Sequence, residues 1–282
     1  MEAKGPNAEQ IEYWNEKAAP TWLAQNARLD EMLAPLGIAA MDRAKPKTGD
    51  RVLDVGCGVG QTSLQLAARV GPTGSVLGVD ISAPMLARAK ERARAENLAN
   101  LRFENADAQT FAFTPGGVDL VFSRFGVMFF ADPAAAFANI ARALRPGGRL
   151  AFVCWQAMAQ NPWMREAVAA LAKHVTLPAP PAPDAPGPFA FADAARVRGI
   201  LEKAGFRGVA HEPLTGEIFL GKNVDEALAF STEVGPAGSA LREATPSQRE
   251  AATAAIREML ASRLTPTGVR MAFAAWIVTA ER

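Results

Sequence analysis

Along the first half of the chain, short apolar runs alternate with longer stretches whose apolar positions recur every three to four residues. The runs are "RVLDVG" (51–56), "GSVLGVDIS" (74–82), "LRFENADA" (101–108), "VDLVFSRF" (118–125) and "RLAFVCW" (149–155), and they predict five buried strands. Between them "QTSLQLAARV" (61–70), "SAPMLARAKERARAENL" (82–98) and "DPAAAFANIARALRPGG" (132–148) carry a helical period. Ser82 is placed to cap the second of these, with Pro84 in its first turn, and Pro-Gly-Gly ends the third. Strands alternating with helices predict a parallel sheet closed by right-handed crossovers.

The flanks follow other rhythms. Residues 8–19 and 21–45 predict two helices with Ile11, Tyr13, Trp14, Trp22, Leu23, Leu29, Met32, Leu33 and Leu36 on their apolar faces. After Trp155 the alternation stops. "NPWMREAVAALAKHV" (161–175) predicts a helix with Trp163, Ala167, Ala170, Leu171 and His174 on one apolar stripe. A proline-rich connector (178–188) is expected to be extended. Then come a helix ending at Gly205, a strand over 206–221, helices over 224–234 and 246–262, and a closing strand, "GVRMAFAAWIVTAER". Four parts are expected: an N-terminal helical cap (1–46), an α/β core (47–155), a lid insertion with its connector (156–190), and a C-terminal part with substrate-side helices (191–282).

Composition narrows the class. Of 282 residues 49% are hydrophobic, ample for a packed core, yet no apolar run approaches the ~20 residues of a membrane span. No stable membrane insertion and no secretory signal are expected. A net charge of +1 argues against a nucleic-acid partner. Cys57 and Cys154 lie far apart, offer no metal-ligand spacing, and fit a reducing cytoplasmic location.

"VLDVGCGVG" carries the chemistry. A dinucleotide fingerprint places its third glycine three positions past the second, but Gln61 holds that position and Gly60 comes one earlier. The pattern is Asp54-x-Gly56-x-Gly58-x-Gly60, a tight loop at a strand end where backbone can approach a ligand closely. A carboxylate there suits a cationic group, not a pyrophosphate. Asp80, at the end of the second strand, can accept from both hydroxyls of a ribose. Asp107, just after the third, can accept from an adenine amine or N-cap a short helix that follows, and these roles are compatible.

With "VLGVDIS", "NADAQTFAF", "DLVFSRFGVMFF" and "ALRPGGRLAFVCW" in register behind it, this loop makes residues 48–155 resemble the class I S-adenosylmethionine-dependent methyltransferases. "YWNEKAAPTW" is similar, more loosely, to the start of the ubiquinone/menaquinone-methyltransferase-like subgroup. The resemblance implies a Rossmann-like α/β fold with a seven-stranded, mostly parallel sheet. Its last strand would lie antiparallel beside the fifth, with helices on both faces. It implies methyl transfer from S-adenosylmethionine to a small-molecule acceptor by in-line displacement. The cofactor-binding residues it implies are Asp54, Gly56, Cys57, Gly58, Asp80, Ile81, Met85, Asp107, Ala108 and Ser123. A cofactor-binding protein without transfer activity is the alternative, and an NAD-dependent oxidoreductase is disfavoured by the glycine spacing.

No catalytic residue is identified by motif. His174 and His211 are candidates for a general base, set against purely structural roles. Arg124, after the fourth strand, either forms an ion pair or anchors a carboxylate of cofactor or substrate. Tyr13 belongs either to an apolar helix face or to a cover over the cofactor.

Overall fold

The computed structural model describes residues 2–282 except 178, 180, 181 and 183, so those positions of the proline-rich connector lie outside the described residues. Five strands fall where the apolar runs predict them: β1 (Arg51–Val55), β2 (Ser75–Asp80), β3 (Leu101–Asn105), β4 (Val118–Arg124) and β5 (Leu144–Trp155). β6 (Arg207–Gly221), the two-residue β7 (Leu264–Thr265) and β8 (Gly268–Glu281) complete the sheet. Its order is β3-β2-β1-β4-β5-β8-β6, with β7 paired to β8. The sheet therefore has eight strands where seven were expected, the eighth being the short hairpin arm β7, whose Leu264 and Thr265 are too exposed to leave an apolar signature.

β1, β2, β3, β4 and β5 pair in parallel. The N–H of Arg282 donates to the Gly148 carbonyl, and that of Gln156 to the Ala274 carbonyl, so β8 runs antiparallel to β5 as expected. Strand order reverses between β1 and β4. In open α/β sheets the crevice outside the carboxyl ends at such a switch point is where ligands bind.

Helices α1 (Ala8–Glu12), α2 (Ala19–Ala24) and α3 (Asn26–Ala44) precede the sheet. The first expected helix is interrupted by a π-helical turn over Tyr13–Lys17, closed by a 2.8 Å bond from the Ala18 N–H to the Tyr13 carbonyl. Pro20, in the first turn of α2, has no N–H to continue a ladder from behind. Crossover helices α4 (Gln61–Val70), α5 (Ala83–Ala95) and α6 (Pro133–Ala143) follow β1, β2 and β4. Phe137 of α6 packs on Phe152, Phe191 and Phe206, all fully buried, with ring centroids 5.8–6.3 Å apart. Aromatic contacts of this kind contribute beyond their buried area.

The remaining helices are α7 (Pro162–Leu171), α8 (Ala194–Lys203), α9 (Val224–Glu233), α10 (Gly235–Arg242) and α11 (Pro246–Ala261). α10 was not expected; its Gly235, Pro236 and Gly238 mask the helical period. α8 stops before Gly205, which takes φ +92°, as its sequence predicts. The chain divides into two compact units, one of Met1–Trp155, Pro183–Leu214 and Trp276–Arg282, the other of Gln156–Ala182 and Thr215–Ala275.

In the second unit Asn161, fully buried, replaces a strand neighbour for Ala274. Its Oδ1 accepts from the Ala274 N–H at 3.0 Å, and its Nδ2 donates to the carbonyls of Ala274 and Gln156. Asn161→Ala strands one buried N–H and leaves its carbonyls short of a donor. Each such loss costs about 1–3 kcal/mol. A lower denaturant midpoint is the expected result, and an unchanged midpoint contradicts this role.

Candidate functional site

The first unit gathers the acidic strand ends at the switch point. Gly56, Gly58 and Gly60 all take left-handed backbone, φ +67°, +53° and +85°. What demands glycine differs among them. A Cβ on Gly56 would lie 2.7 Å from Gly126 Cα, and one on Gly60 would lie 2.9 Å from Ala89 Cβ. These two glycines are required by close approach of the protein to itself, not by a ligand as the sequence pattern suggests. A Cβ on Gly58 would meet only Met85 Sδ at 3.8 Å, so there the backbone conformation alone excludes a side chain.

Two carboxylates hold this loop. Asp80 Oδ2 accepts from the Gly58 N–H at 2.7 Å, and its Oδ1 from the Ser82 N–H at 2.8 Å. Burial raises the Asp80 pKa, and the N–H donors of Ser82, Gly58 and Ile81 oppose the rise. Asp54 is fully buried beneath the loop. Its Oδ2 accepts from the hydroxyls of Thr62 and Ser63, each at 2.6 Å, in the first turn of α4. Its Oδ1, equally buried, has no hydrogen-bond partner among the described residues. Burial pushes the Asp54 pKa up to about 6, against the pull of those two hydroxyls and of the Arg124 guanidinium.

Asp107 is buried just past β3 and accepts the Gln109 N–H at 2.9 Å, so it caps a turn and not the short helix expected there. Ala108 and Met85 are buried nearby in sequence and loop, while Ile81 is half-exposed. Cys57 is buried in the loop and its thiol pKa is driven well above the usual range, chiefly by burial. Ser123 Oγ accepts from the Gly126 N–H at 3.2 Å, in the turn that faces Gly56. Phe125 follows at φ +59°, a costly conformation for a ring-bearing residue, held by stacking on Trp155 at 4.1 Å.

Arg124 is not a surface residue. Its guanidinium donates to Gln61 Oε1 and lies 3.7 Å from Asp30, which in turn pairs with Arg92 at 2.7 Å. α3, α4 and α5 are thereby linked beside Asp54. Ser82 stands at the start of α5 but does not cap it: its hydroxyl donates to the Trp14 carbonyl. Asn15 caps in its place, accepting from the Ala83 N–H at 2.9 Å and donating to the Ile81 carbonyl at 3.0 Å. Tyr13, Trp14, Trp22 and Phe129 form a chain of edge-to-face rings, each half-exposed.

The histidines stand apart. His174 is exposed, past the end of α7 in the second unit, and not on an apolar stripe; the helix stops at Leu171 and the chain turns there. His211 lies on the edge strand β6 against Trp276, its pKa lowered by burial and by Arg198. Sequence reasoning passed over Asn7, Asn15 and Gln109, which tie loops together. Only a side-chain amide near a strand end in space, not in sequence, marks such residues.

A family model described as a methyltransferase domain matches residues 52–148. Aklanonic acid methyltransferase from Streptomyces sp. (strain C5) is 38% identical over 122 residues, 43% of this chain and 56% of that protein. Demethylmenaquinone methyltransferase from Thermus thermophilus is 41% identical over 111 residues, 39% of this chain and 50% of that protein. The chain thus spans about half the length of the curated relatives it matches. Among solved structures, the YcgJ protein of Bacillus subtilis superposes with a TM-score of 0.58 at 18% identity, covering 87% of this chain and 97% of that one, which supports the fold. Residues 52–148 therefore match a methyltransferase domain, in line with the resemblance to the class I S-adenosylmethionine-dependent methyltransferases.

The Asp54 carboxyl has a folded pKa of about 6 against a usual 3.8, so its burial favours the protonated form. The stability it contributes is full below the unfolded value and is lost as pH rises through about 6. Asp54→Asn keeps an acceptor for Thr62 and Ser63 but no longer ionises. Between pH 5 and pH 8 the wild type is expected to lose about 1–1.5 kcal/mol relative to this variant, measured by denaturant unfolding. Parallel pH profiles for the two proteins contradict the assignment.

Proposed function

We propose that the chain transfers a methyl group from S-adenosylmethionine to a small-molecule acceptor. The observation that carries this reading is the row of Asp54, Asp80 and Asp107 at successive strand ends around the left-handed glycine loop. Asp80 accepts the Gly58 N–H on Oδ2 and the Ser82 N–H on Oδ1, with the Ile81 N–H directed at it as well, which leaves acceptor capacity for a ribose hydroxyl. Asp107 and Ala108 meet the adenine edge, with Ile81 and Met85 against its faces. The backbone of Gly56, Cys57 and Gly58 lies along the methionine portion. The unpaired Asp54 Oδ1 fits a positive group, directly or through water. Ser123 stands nearest the sulfonium region.

The cofactor supplies a methyl group on a sulfonium, already activated for in-line displacement. What remains for the protein is alignment, which can account for roughly 7–11 kcal/mol of barrier reduction. The half-exposed rings of Tyr13, Trp14, Trp22 and Phe129 offer an apolar wall and face-on attraction for a cation. They favour a partly apolar acceptor, in keeping with relatives named for aklanonic acid, nocamycin and demethylmenaquinone. No helix among the described residues is long and apolar enough to cross a membrane. We place the chain in the cytoplasm and expect no nucleic-acid partner.

Incubation with S-adenosylmethionine labelled on its methyl group and a metabolite extract should give a labelled small molecule. No labelled product supports binding without transfer. S-adenosylmethionine and S-adenosylhomocysteine should raise the melting temperature, since a ligand at 100 times its Kd adds about 2.7 kcal/mol. A rise with NAD alone contradicts the reading. In calorimetry, Asp80→Ala should lose about 1.5–3 kcal/mol of cofactor affinity, the cost of removing a charged acceptor from a buried hydroxyl. Unchanged affinity would exclude Asp80 as the ribose partner.

A further inference from the structure

Asn7, from the very start of the chain, is buried against the adenine-side carboxylate. Of its two Nδ2 hydrogens, one is shared by both oxygens of Asp107, at 3.0 and 2.9 Å, and the other goes to Gln109 Oε1 at 3.0 Å. Its Oδ1 accepts from the Ala131 N–H at 2.7 Å. Gln109 Oε1 also accepts from the Asp132 N–H at 3.2 Å. One planar amide thus joins the N-terminal segment, the loop after β3 and the loop before α6. Only a side chain that both donates and accepts can do so; an aspartate here would set two carboxylates against each other.

The bonds leave Asp107 with a defined remainder. Oδ1 takes two donors, Asn7 Nδ2 and the Gln109 N–H, and Oδ2 takes Asn7 alone among the described residues. A carboxylate has about two acceptor positions per oxygen, so one on Oδ2 stays open in a fixed direction. A fixed lone pair distinguishes an amine from a carbonyl oxygen: it attracts the first and repels the second. A carboxylate free to rotate relieves that repulsion and loses the distinction.

We propose that Asn7 is a positioning residue for base recognition. It holds Asp107 so that the open acceptor of Oδ2 meets the exocyclic amine of adenine, and it thereby sets the preference for adenine over a 6-oxopurine. This rests on the reading of the site as an S-adenosylmethionine pocket. The test is calorimetric titration of wild type and Asn7→Ala with S-adenosylhomocysteine and with its deaminated analogue, S-inosylhomocysteine. The variant should bind S-adenosylhomocysteine about tenfold more weakly, one charge-assisted hydrogen bond's worth, with little change for the analogue. The preference between the two ligands therefore falls by the same factor.

Equal weakening toward both ligands makes Asn7 a packing residue and overturns the inference. Tighter binding of S-adenosylhomocysteine by the variant means that Asn7 occupies the amine's place, and overturns it too. A wild type that binds neither ligand overturns the site reading and this inference together. A wild type that binds with an unchanged preference in the variant overturns this inference alone. Should Asn7→Ala fail to fold, the wild type carries the test: the Asn7 side-chain amide signals in a ¹⁵N–¹H spectrum should shift with S-adenosylhomocysteine and much less with the analogue. Equal shifts contradict the proposal.

Discussion

The Gly58 N–H donates across 2.7 Å to the Asp80 carboxylate, and much of the site depends on that bond. It ties the loop after β1 to the end of β2, so two strand ends become one surface. The other face of the loop is set by contact. Gly56 lies against Gly126 of the turn after β4, and Gly60 against Ala89 of α5. A residue with a side chain at either position would push the neighbouring element away. The glycines let three elements converge, and Asp54 beneath them holds the first turn of α4 through Thr62 and Ser63. This arrangement keeps a carboxyl fully buried with one oxygen unpaired, a cost that pure packing would avoid.

A second set of bonds brings the N-terminal segment onto the same strand ends. Asn7 reaches Asp107, Asn15 caps α5 and holds the Ile81 carbonyl, and Trp14 accepts from Ser82. The π-helical turn at Tyr13–Lys17 lies between Asn7 and Ala19 and widens the helix where Trp14 meets Phe129. The segment is thus joined to each strand end that carries a carboxylate after β2 and β3. It is bound by neutral amides and rings rather than by ion pairs, so salt should leave these contacts largely intact.

The first five strands and their helices were legible because buried parallel strands are near-continuous apolar runs and their crossover helices keep a strict period. Asp54, Asp80 and Asp107 were legible because each ends such a run. Other features were not. β7 has only two exposed residues, and α10 is interrupted by glycine and proline. His174 continued the helical period on paper, but the helix ends at Leu171. Asn7 lies 100 positions from Asp107, and Asn15 lies 68 from the start of α5 that it caps; no local pattern reports contacts at that separation. Arg124 was left open between an ion pair and a carboxylate anchor, and the sequence shows neither Gln61 nor Asp30, which hold it, as its partners.

The central claim is that the carboxylates at the strand ends form one nucleoside site. A crystal structure of the full chain with S-adenosylhomocysteine tests it most directly. The account predicts a ribose hydroxyl on Asp80, the adenine amine on Asp107 with Asn7 still in place, and the amino-acid tail above Gly56 and Gly58. A nucleoside bound away from Asp80 and Asp107, or these residues bonded as they are here with the ligand absent at saturating concentration, would contradict it.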